Sequence, residues 1–266
     1  MKKSFGQNFL IDQIFLQKII EAIDVNSEDT VIEIGSGSGL LTALLAEKVK
    51  KVFAIEPERD ALKKLSVNLS KKKVSNVEVI GGSFLKTDLC KLSDKQFKII
   101  GNIPYNLTSK ILLKIFGEYD LPEKHLKQIK SIYLMLQREV AERLIAKPHT
   151  KAYSPLSLLI QYFSEPKILF NVPPKAFLPI PKVESTFVCL KPKPSLHNIQ
   201  NPVLLRKIIK TAFQQRRKKI INSLQGLFAD KKELGIKLNE LNLNQNLRAE
   251  DLSFDQYLLL VNSMGE

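Results

Sequence analysis

The sequence predicts an open, mostly parallel α/β sheet followed by a small all-helical C-terminal domain. Short β-rich runs alternate with segments in which apolar residues recur at helical spacing, a pattern typical of strands joined by crossover helices. Turns that contain glycine or asparagine follow several of these strands directly. Beyond about residue 194 only the helical spacing continues. We therefore expect two domains, residues 1–194 and 200–266.

The individual elements follow from the same patterns, taken in chain order. Apolar residues recur at helical spacing in four segments: 14–23, 40–49, 205–213 and from 254 onward. Strand character is found in six segments: 30–34, 52–55, 77–80, 97–100, 131–136 and 183–190. Asn201 and Pro202 are suited to the N-cap and first position of a helix, and residues 253–256 have capping-box form. The tail is therefore predicted to be helical.

The composition is that of a globular chain without a membrane span or a secretory signal. Of the 266 residues 44% are apolar, enough for a core, yet no apolar run approaches the ~18 residues of a span. No apolar segment follows the lysines near the start, so a cytoplasmic protein is expected. Cys90 and Cys189 lack metal-ligand spacing and the histidines are scattered, so no metal site is predicted.

The positive charge favours a polyanionic partner. Lys and Arg total 41 against 27 Asp and Glu, which gives a formal net charge of +14. Each phosphate neutralised by a basic side chain releases condensed counterions, so a surplus of this size favours nucleic acid. A Lys-rich composition without any partner is the alternative that charge alone leaves open.

The turn after the first sheet strand has the features of a ligand-binding loop. Residues 35–39 read Gly-Ser-Gly-Ser-Gly and follow Glu33, which lies near the end of the strand. Glycines let a ligand approach the main chain closely. A dinucleotide fingerprint would require a third glycine where this chain has Leu40. Because that glycine is missing and Glu33 is acidic, we expect a cationic or amine-bearing ligand instead of a pyrophosphate.

Two further strand ends extend this predicted pocket. Glu56 ends the second strand, 21 residues after Gly35, where a carboxylate can accept both ribose hydroxyls of a nucleoside. A solvated strand-end glutamate is the alternative. Ser83 and Phe84 follow the third strand, in a loop placed to contact an adenine ring. A ribose, an adenine and an ammonium group without phosphate suit S-adenosylmethionine, which is therefore the expected cofactor.

The most specific motif is Asn-Ile-Pro-Tyr at residues 102–105, after the fourth strand. In methyl transfer from a sulfonium the electrophile is already activated, so an enzyme has to place the acceptor and free its lone pair. The Asn102 side-chain oxygen and the Ile103 carbonyl can accept hydrogen bonds from the two N–H groups of an adenine amine, and Pro104 would stiffen the turn. Tyr105 offers a stacking face for an unstacked base. The motif predicts amino-group methylation, with an ordinary Asn–Pro turn as the alternative.

Several segments over nearly the whole chain form a recognisable set: residues 3–10, 31–42, 102–105, 137–144, 174–185, 213–219 and 248–253. Together they resemble the ribosomal RNA adenine dimethyltransferases, notably the bacterial small-subunit (16S) type. The resemblance implies a Rossmann-like methyltransferase fold dependent on S-adenosylmethionine. It also implies dimethylation of the N6 amine of two adjacent adenosines in a hairpin near the 3′ end of the rRNA, late in subunit assembly.

The resemblance also implies roles for individual residues. Gln7, Asn8 and Leu10 would line the methionine end of the cofactor, and Phe177 would pack on the target base opposite Tyr105. A core aromatic is the alternative for Phe177. One position departs from the family, because Ser83 stands where aspartate is usual.

The expected sites are therefore three. Expected cofactor contacts are Gln7, Asn8, Leu10, Glu33, Gly35, Gly37, Glu56, Ser83, Phe84 and Asn102. The expected reaction centre consists of Asn102, Ile103, Pro104, Tyr105 and Phe177. Expected rRNA contacts in the tail are Arg216, Arg217, Lys218 and Arg248.

Three other functions compete with this interpretation. A macrolide-resistance methylase performs the same chemistry on large-subunit rRNA, but the full helical tail with its basic cluster favours the small-subunit type. A non-catalytic assembly factor would not need Glu56 or the motif at 102–105. Leu40 and the positive charge disfavour a nicotinamide dehydrogenase. The expected partner is small-subunit rRNA in the assembling particle, bound by a monomer without metal or membrane.

Overall fold

The computed structural model of the chain describes residues 8–193, 199–228 and 230–264. Gln7, one of the expected cofactor contacts, lies outside the described residues. Contacts between Cα atoms divide the chain into two compact units. The sheet unit comprises residues 8–116, Glu123–Ala141 and Glu165–Pro192, and the helical unit comprises Gly117–Pro122, Glu142–Ser164 and the described residues from Lys193 onward.

The described residues form the following elements. The strands are β1 (Phe9–Leu10), β2 (Thr30–Ile34), β3 (Lys51–Glu56), β4 (Val77–Gly81), β5 (Phe97–Asn102), β6 (Gly117–Glu118), β7 (Leu121–Pro122), β8 (Ile129–Gln137), β9 (Ser164–Val172), β10 (Phe177–Leu178) and β11 (Ser185–Pro192). The helices are α1 (Gln13–Ala22), α2 (Leu40–Ala46), α3 (Arg59–Lys71), α4 (Thr108–Phe116), α5 (Arg138–Ile145), α6 (Pro155–Phe163), α7 (Pro202–Gln214), α8 (Ile220–Ser223), α9 (Lys231–Glu240) and α10 (Phe254–Asn262).

The large sheet has the strand order β4-β3-β2-β5-β8-β11-β9. The pairs β3–β4, β2–β3, β2–β5 and β5–β8 are parallel, and β8–β11 is antiparallel. The chain leaves β2 towards β3 and β4 and returns on the other side of β2 as β5. The strand order therefore reverses between β2 and β5, the place where open α/β sheets bind ligands at the carboxyl ends of their strands. Gly35 and Asn102 lie at this reversal.

The six predicted strands and the mostly parallel sheet are confirmed. The sequence patterns missed β9, which contains Glu165, Pro166 and Lys167 and does not alternate cleanly. Proline is tolerated here because β9 lies at the edge of the sheet, where a missing N–H breaks no ladder. The patterns also missed the two-residue strands β1 and β10, which pair antiparallel with each other.

The core of the sheet unit forms where α1 and α2 cover the sheet. Leu16 and Ile19 of α1 and Leu45 of α2 are fully or almost fully buried, and they belong to one apolar cluster with Val31 of β2 and Val52 of β3. The helical spacing of these residues in the sequence places them on one face of each helix. This packing fixes β2 and α2, the two elements that flank the glycine turn.

The helical unit is built around aromatic side chains. Tyr162 and Phe254 stack with their ring centroids 5.2 Å apart, and Phe213 lies 6.4 Å from Tyr257. The predicted helix starts are confirmed: Asn201 Oδ1 accepts a hydrogen bond from the N–H of Leu204, and α10 begins with a capping box.

The observed division into units differs in part from the predicted division into residues 1–194 and 200–266. By contacts, Gly117–Pro122 and Glu142–Ser164 belong with the helical tail. A predicted boundary along the chain cannot include such segments, because they join the tail only through tertiary packing. No helix within the described ranges is long and apolar enough to cross a membrane. Those same residues include no group of His, Cys, Asp and Glu side chains that could hold a metal ion.

Candidate active site

A cavity of about 480 Å³, part of it open to solvent, lies at the carboxyl ends of β2 and β5. Its lining includes five of the expected cofactor residues: Leu10, Glu33, Gly35, Gly37 and Asn102. These residues come from β1, from the end of β2, from the glycine turn and from the end of β5. The topology therefore assembles in one place what the sequence distributes over almost a hundred positions.

The glycine turn needs glycine for two separate reasons. Gly35, Gly37 and Gly39 have backbone φ angles of +74°, +57° and +84°, which residues other than glycine rarely adopt. A Cβ at Gly37 would also lie 2.8 Å from Cδ1 of Phe9, and one at Gly35 would lie 3.3 Å from the Asn102 carbonyl oxygen. The turn is thus in close contact with both β1 and β5.

Glu33 is a buried acid in the cavity lining, with only 2% of its surface exposed. Its Oε2 accepts a hydrogen bond from the Thr42 hydroxyl at 2.5 Å. Burial raises the pKa of Glu33 to about 7, and the nearby charge of Glu56 acts in the same direction. A cation bound in the cavity would favour the ionised carboxylate, so this side chain suits a positively charged ligand.

Glu56 is fully buried, and its carboxylate accepts a hydrogen bond from the backbone of the glycine turn. Its Oε2 accepts the Gly37 N–H at 2.9 Å, and its Oε1 accepts the Glu58 N–H at 2.9 Å. The alternative of a solvated strand-end glutamate is therefore wrong. Binding of ribose hydroxyls remains a prediction, and carboxylate oxygens have lone pairs beyond those used by the backbone.

Ser83 and Phe84 follow β4 but do not line the cavity. Phe84 is 4% exposed and begins a short 3₁₀ helix, while the Ser83 carbonyl accepts the hydroxyl of Thr87 at 3.1 Å. Phe84 therefore contributes to the fold. Contact of either residue with an adenine ring remains a prediction.

The motif at 102–105 is held at several points. The Asn102 Nδ2 donates a hydrogen bond to the Asn8 carbonyl oxygen at 2.7 Å, so Oδ1 remains as the acceptor end of the amide. Ile103 is buried, and the Pro104 carbonyl accepts the N–H of Leu107 at 3.0 Å in the short helix that follows. The family resemblance assigned Asn8 to the cofactor, and nothing in the sequence indicated this contact, which spans 94 positions.

Phe177 requires a correction. It is 1% exposed, lies in the apolar core and pairs with Leu10 across the two-stranded β1–β10 ladder. Side chains alternate along a strand, so it is the next residue, Leu178, that faces out, with 53% of its surface exposed. The alternative interpretation as a core aromatic describes the structure, and stacking on a base would require the ring to leave the core.

Arg216, one of the expected rRNA contacts, has partners within the helical unit. Its guanidinium forms an ion pair with Glu250 and donates from Nη2 to the Lys151 carbonyl at 2.5 Å. Arg216 therefore joins three segments of the helical unit and is largely committed to the fold. Its partners lie 34 and 65 positions away in sequence, which is why the basic run alone suggested an RNA contact.

The remaining tail residues form a basic patch, defined as Arg217, Lys218, Lys219 and Arg248. All four side chains are exposed. An isolated antiparallel bridge pairs Lys219 with Arg248, and the Ile220 N–H donates to the Leu247 carbonyl at 2.6 Å. Two segments that are about thirty positions apart are thereby held side by side. Lys219 was not among the expected contacts, although it belongs to the same basic run.

The chain matches known proteins over its full length. The family model described as ribosomal RNA adenine dimethylase matches residues 1–266. The ribosomal RNA small subunit methyltransferase A of Alkaliphilus oremlandii (strain OhILAs) is 40% identical over 275 residues, which cover 99% of this chain and 92% of that protein. The protein of the same name from Caldanaerobacter subterraneus subsp. tengcongensis is 38% identical over 270 residues, covering 99% and 97%.

Solved structures show the same architecture. A dimethyladenosine transferase from Plasmodium falciparum is 27% identical with a TM-score of 0.79, covering 97% of both chains. The 23S rRNA methyltransferase ErmE is 24% identical with a TM-score of 0.72, covering 97% of this chain and 100% of the other, and shows the shared fold alone. The Rossmann-like methyltransferase fold is thus confirmed. With a family match over the entire length and relatives of about 40% identity, the chain belongs to the ribosomal RNA adenine dimethylase family.

Proposed function

We propose that this enzyme uses S-adenosylmethionine to dimethylate the N6 amines of two adjacent adenosines in the 3′-terminal hairpin of small-subunit (16S) rRNA, within the assembling subunit. The observation that carries the proposal is Asn102, whose amide lies at the end of β5 in the wall of a cavity shared with the glycine turn and an acidic Glu33. The relatives of about 40% identity are named for small-subunit rRNA methylation, which supports the choice of substrate.

The cavity residues fit S-adenosylmethionine. Glu33 is an acid whose ionised form a cation would stabilise, and the glycine turn has no side chains at Gly35 and Gly37 that would block a ligand. Leu10 offers apolar surface for the methionine chain. When bound, the cofactor supplies an activated methyl group. The residues of this chain would hold it, exclude water and present the acceptor.

Asn102 would orient the acceptor amine. Because Nδ2 is already bonded to the Asn8 carbonyl, the amide cannot flip without losing that bond, and Oδ1 is left to accept an N–H. The Ile103 carbonyl would accept the second N–H. Two acceptors on one exocyclic amine favour a pyramidal nitrogen with an available lone pair, and this arrangement places the amine for in-line attack. Tyr105 would stack on the extruded base.

The basic patch would dock rRNA. Between Val203 and Ile220 the tail has seven basic residues and no acidic one. Arg216 and Arg206 are partly neutralised, by Glu250 and Asp120, but the four patch residues are exposed. Basic side chains in this setting bind phosphates independently of base sequence, which suits docking on a structured rRNA.

Transfer of tritiated methyl groups to unmethylated ribosomal subunits tests the proposal. We expect small subunits to be labelled at two adjacent adenosines and large subunits to remain unlabelled. Asn102→Ala should lower the rate by at least about a hundredfold, a far larger effect than its change in cofactor affinity measured by calorimetry, because the Asn102 amide orients the acceptor.

The matched control is Asn106→Ala, which removes an exposed asparagine four positions further along. It should keep the rate of the unsubstituted enzyme. Labelling of large subunits in place of small ones would show that the substrate is wrong, and an active Asn102→Ala variant would exclude the amine-orienting role.

A further inference from the structure

Tyr105 makes a contact that neither the motif nor the family match describes. Its phenol oxygen lies 2.5 Å from the Ser185 hydroxyl, so the two groups share a short hydrogen bond across 80 positions of sequence. Ser185 is the first residue of β11 and is completely buried, whereas Tyr105 is half-buried. A hydrogen bond between this buried hydroxyl and the Tyr105 phenol restricts the position of the Tyr105 ring.

Ser185 itself is held firmly by the sheet. It pairs with Gln137 in the antiparallel ladder between β11 and β8. The preceding residue, Glu184, accepts the Arg138 N–H at 3.0 Å with its carbonyl and the Arg138 guanidinium at 2.9 Å with its carboxylate. The hydroxyl therefore projects from a fixed point of the backbone.

The other end of Tyr105 is held as well. The Thr108 hydroxyl donates to the Tyr105 carbonyl at 3.1 Å, at the junction of the short helix and α4. A tyrosine has only two side-chain torsions, so fixing both its backbone and its phenol oxygen selects one χ1 rotamer and with it the position of the ring. Rotation about χ2 is not restricted by this bond, because the phenol oxygen lies on the χ2 axis. Burial raises the pKa of the Tyr105 phenol, which keeps the group protonated and able to take part in this bond.

We infer that Ser185 is a positioning residue that holds the Tyr105 side chain in the χ1 rotamer from which its ring stacks on the acceptor base. The inference rests on the proposed function for the identity of the base, but the restraint on the ring is a property of the free protein. Base stacking depends on the face of the ring being presented without reorganisation. A side chain free to change its χ1 rotamer would still bind a base, but less often in a reactive position.

Steady-state kinetics with small subunits provide the first test. Ser185→Ala is expected to lower kcat about tenfold with unchanged cofactor affinity. Tyr105→Phe removes the same hydrogen bond and should lower kcat by a similar factor. Because both changes break one bond, the double variant should be no slower than the slower single variant. An unchanged kcat for Ser185→Ala, or losses that multiply in the double variant, would overturn the inference.

Thr186→Ala is the matched control. Thr186 is the next residue of β11, is also completely buried, and its hydroxyl donates to Asn171 Oδ1 at 2.8 Å. The variant loses a buried hydrogen bond of the same strand and should lower the melting temperature as much as Ser185→Ala does, while kcat stays within about twofold. An equal loss of kcat in both variants would mean that Ser185 acts only through stability.

A measurement without substrate separates this inference from the proposed function. With ¹³C- and ¹⁵N-labelled tyrosine, the Tyr105 signals are assigned by their loss in Tyr105→Phe, and the χ1 rotamer populations are measured by NMR from the three-bond couplings of the backbone nitrogen and carbonyl carbon to Cγ. Ser185→Ala should populate a second χ1 rotamer of Tyr105, whereas Thr186→Ala should leave the single rotamer unchanged. If the unsubstituted enzyme failed to methylate small subunits, the proposed function would fail while this measurement still decided whether Ser185 restrains the ring.

Discussion

At the scale of single residues, Glu33 shows how burial changes the acidity of a side chain that lines the cavity. The carboxyl group is 2% exposed and accepts one hydrogen bond from Thr42, yet it lines the cavity at the end of β2. An acid in this setting keeps its proton to about neutral pH unless a cation arrives. At neutral pH the fold therefore holds less than a full negative charge at this buried position.

The raised pKa of Glu33 predicts a pH dependence of stability. The folded state keeps the proton up to about pH 7, whereas the unfolded chain releases it near the ordinary value of 4.5. Between these values the folded state binds more protons, so the contribution of Glu33 to the free energy of unfolding decreases as pH rises. The decrease from pH 4.5 to above 7 is on the order of 3 kcal/mol.

Comparison with Glu33→Gln isolates this contribution, because the amide cannot titrate. We expect the difference in unfolding free energy between the two proteins to change in favour of the variant as pH rises from 5 to 8, measured by urea unfolding. Curves that stay parallel over this range would mean that Glu33 has an ordinary pKa.

The sequence predicted the types of the site residues but not their partners. Glu33, Glu56 and Asn102 were recognisable because each follows or ends a strand, and parallel strands meet at one edge of a sheet. The bonds from Asn102 to Asn8 and from Gly37 to Glu56 depend on side-chain directions that no periodicity encodes. The family resemblance placed Phe177 on the target base. Its neighbour Leu178 has the same strand-like surroundings, and only the register with β1 decides that Phe177 is the buried one.

At the scale of elements, the two-residue strand β1 closes one side of the cavity. Its pairing with β10 places the Phe9 ring against Gly37, while the preceding Asn8 carbonyl holds Asn102. Strands this short have no alternation to detect, so the sequence predicted the sheet and its helices but not this ladder. The contact depends on the absence of a side chain at Gly37.

Gly37→Ala is therefore expected to disturb β1 and the turn together. The left-handed backbone costs about 1–2 kcal/mol for alanine, and the new Cβ would lie 2.8 Å from the Phe9 ring. We expect a lower free energy of unfolding by at least this amount and a cofactor affinity reduced about tenfold, measured by urea unfolding and calorimetry.

Two further variants show what causes the effect of Gly37→Ala: one is a control, and the other separates the backbone cost from the clash with Phe9. Gly226→Ala is the control, because a Cβ there meets no atom within 4 Å and the position lies in the helical unit. Its stability and affinity should change little. Adding Phe9→Ala to Gly37→Ala removes the clash but leaves the backbone cost, so part of the lost stability should return. If Gly37→Ala bound the cofactor like the unsubstituted protein, the turn would not be part of the binding site.

At the scale of the whole molecule, the charge excess and the helical tail were both evident in the sequence, but the surface that they form was not. The run at 216–219 contains four consecutive basic residues, which sequence alone cannot divide into structural and exposed members. The structure assigns Arg216 to Glu250 and Lys151, and brings Arg248 beside Lys219 instead. The basic patch, which we propose as the docking surface, thus follows from the fold of the tail.

Binding through the basic patch would make the affinity for small subunits depend on salt. Arg217→Glu with Lys218→Glu should weaken binding to small subunits and make it less dependent on salt, because fewer counterions are released when fewer phosphates are neutralised. For two lost phosphate contacts the slope of log K against log salt should fall by about 2. Lys231→Glu with Lys232→Glu changes the net charge equally at exposed residues of α9 outside the patch, and its salt slope should stay close to that of the unsubstituted protein. Equal slopes for the two double variants would mean that total charge, and not the patch, governs binding.

Arg216→Glu should behave differently from both double variants, since it places a second carboxylate beside Glu250. It should lower the melting temperature of the free protein, measured without RNA.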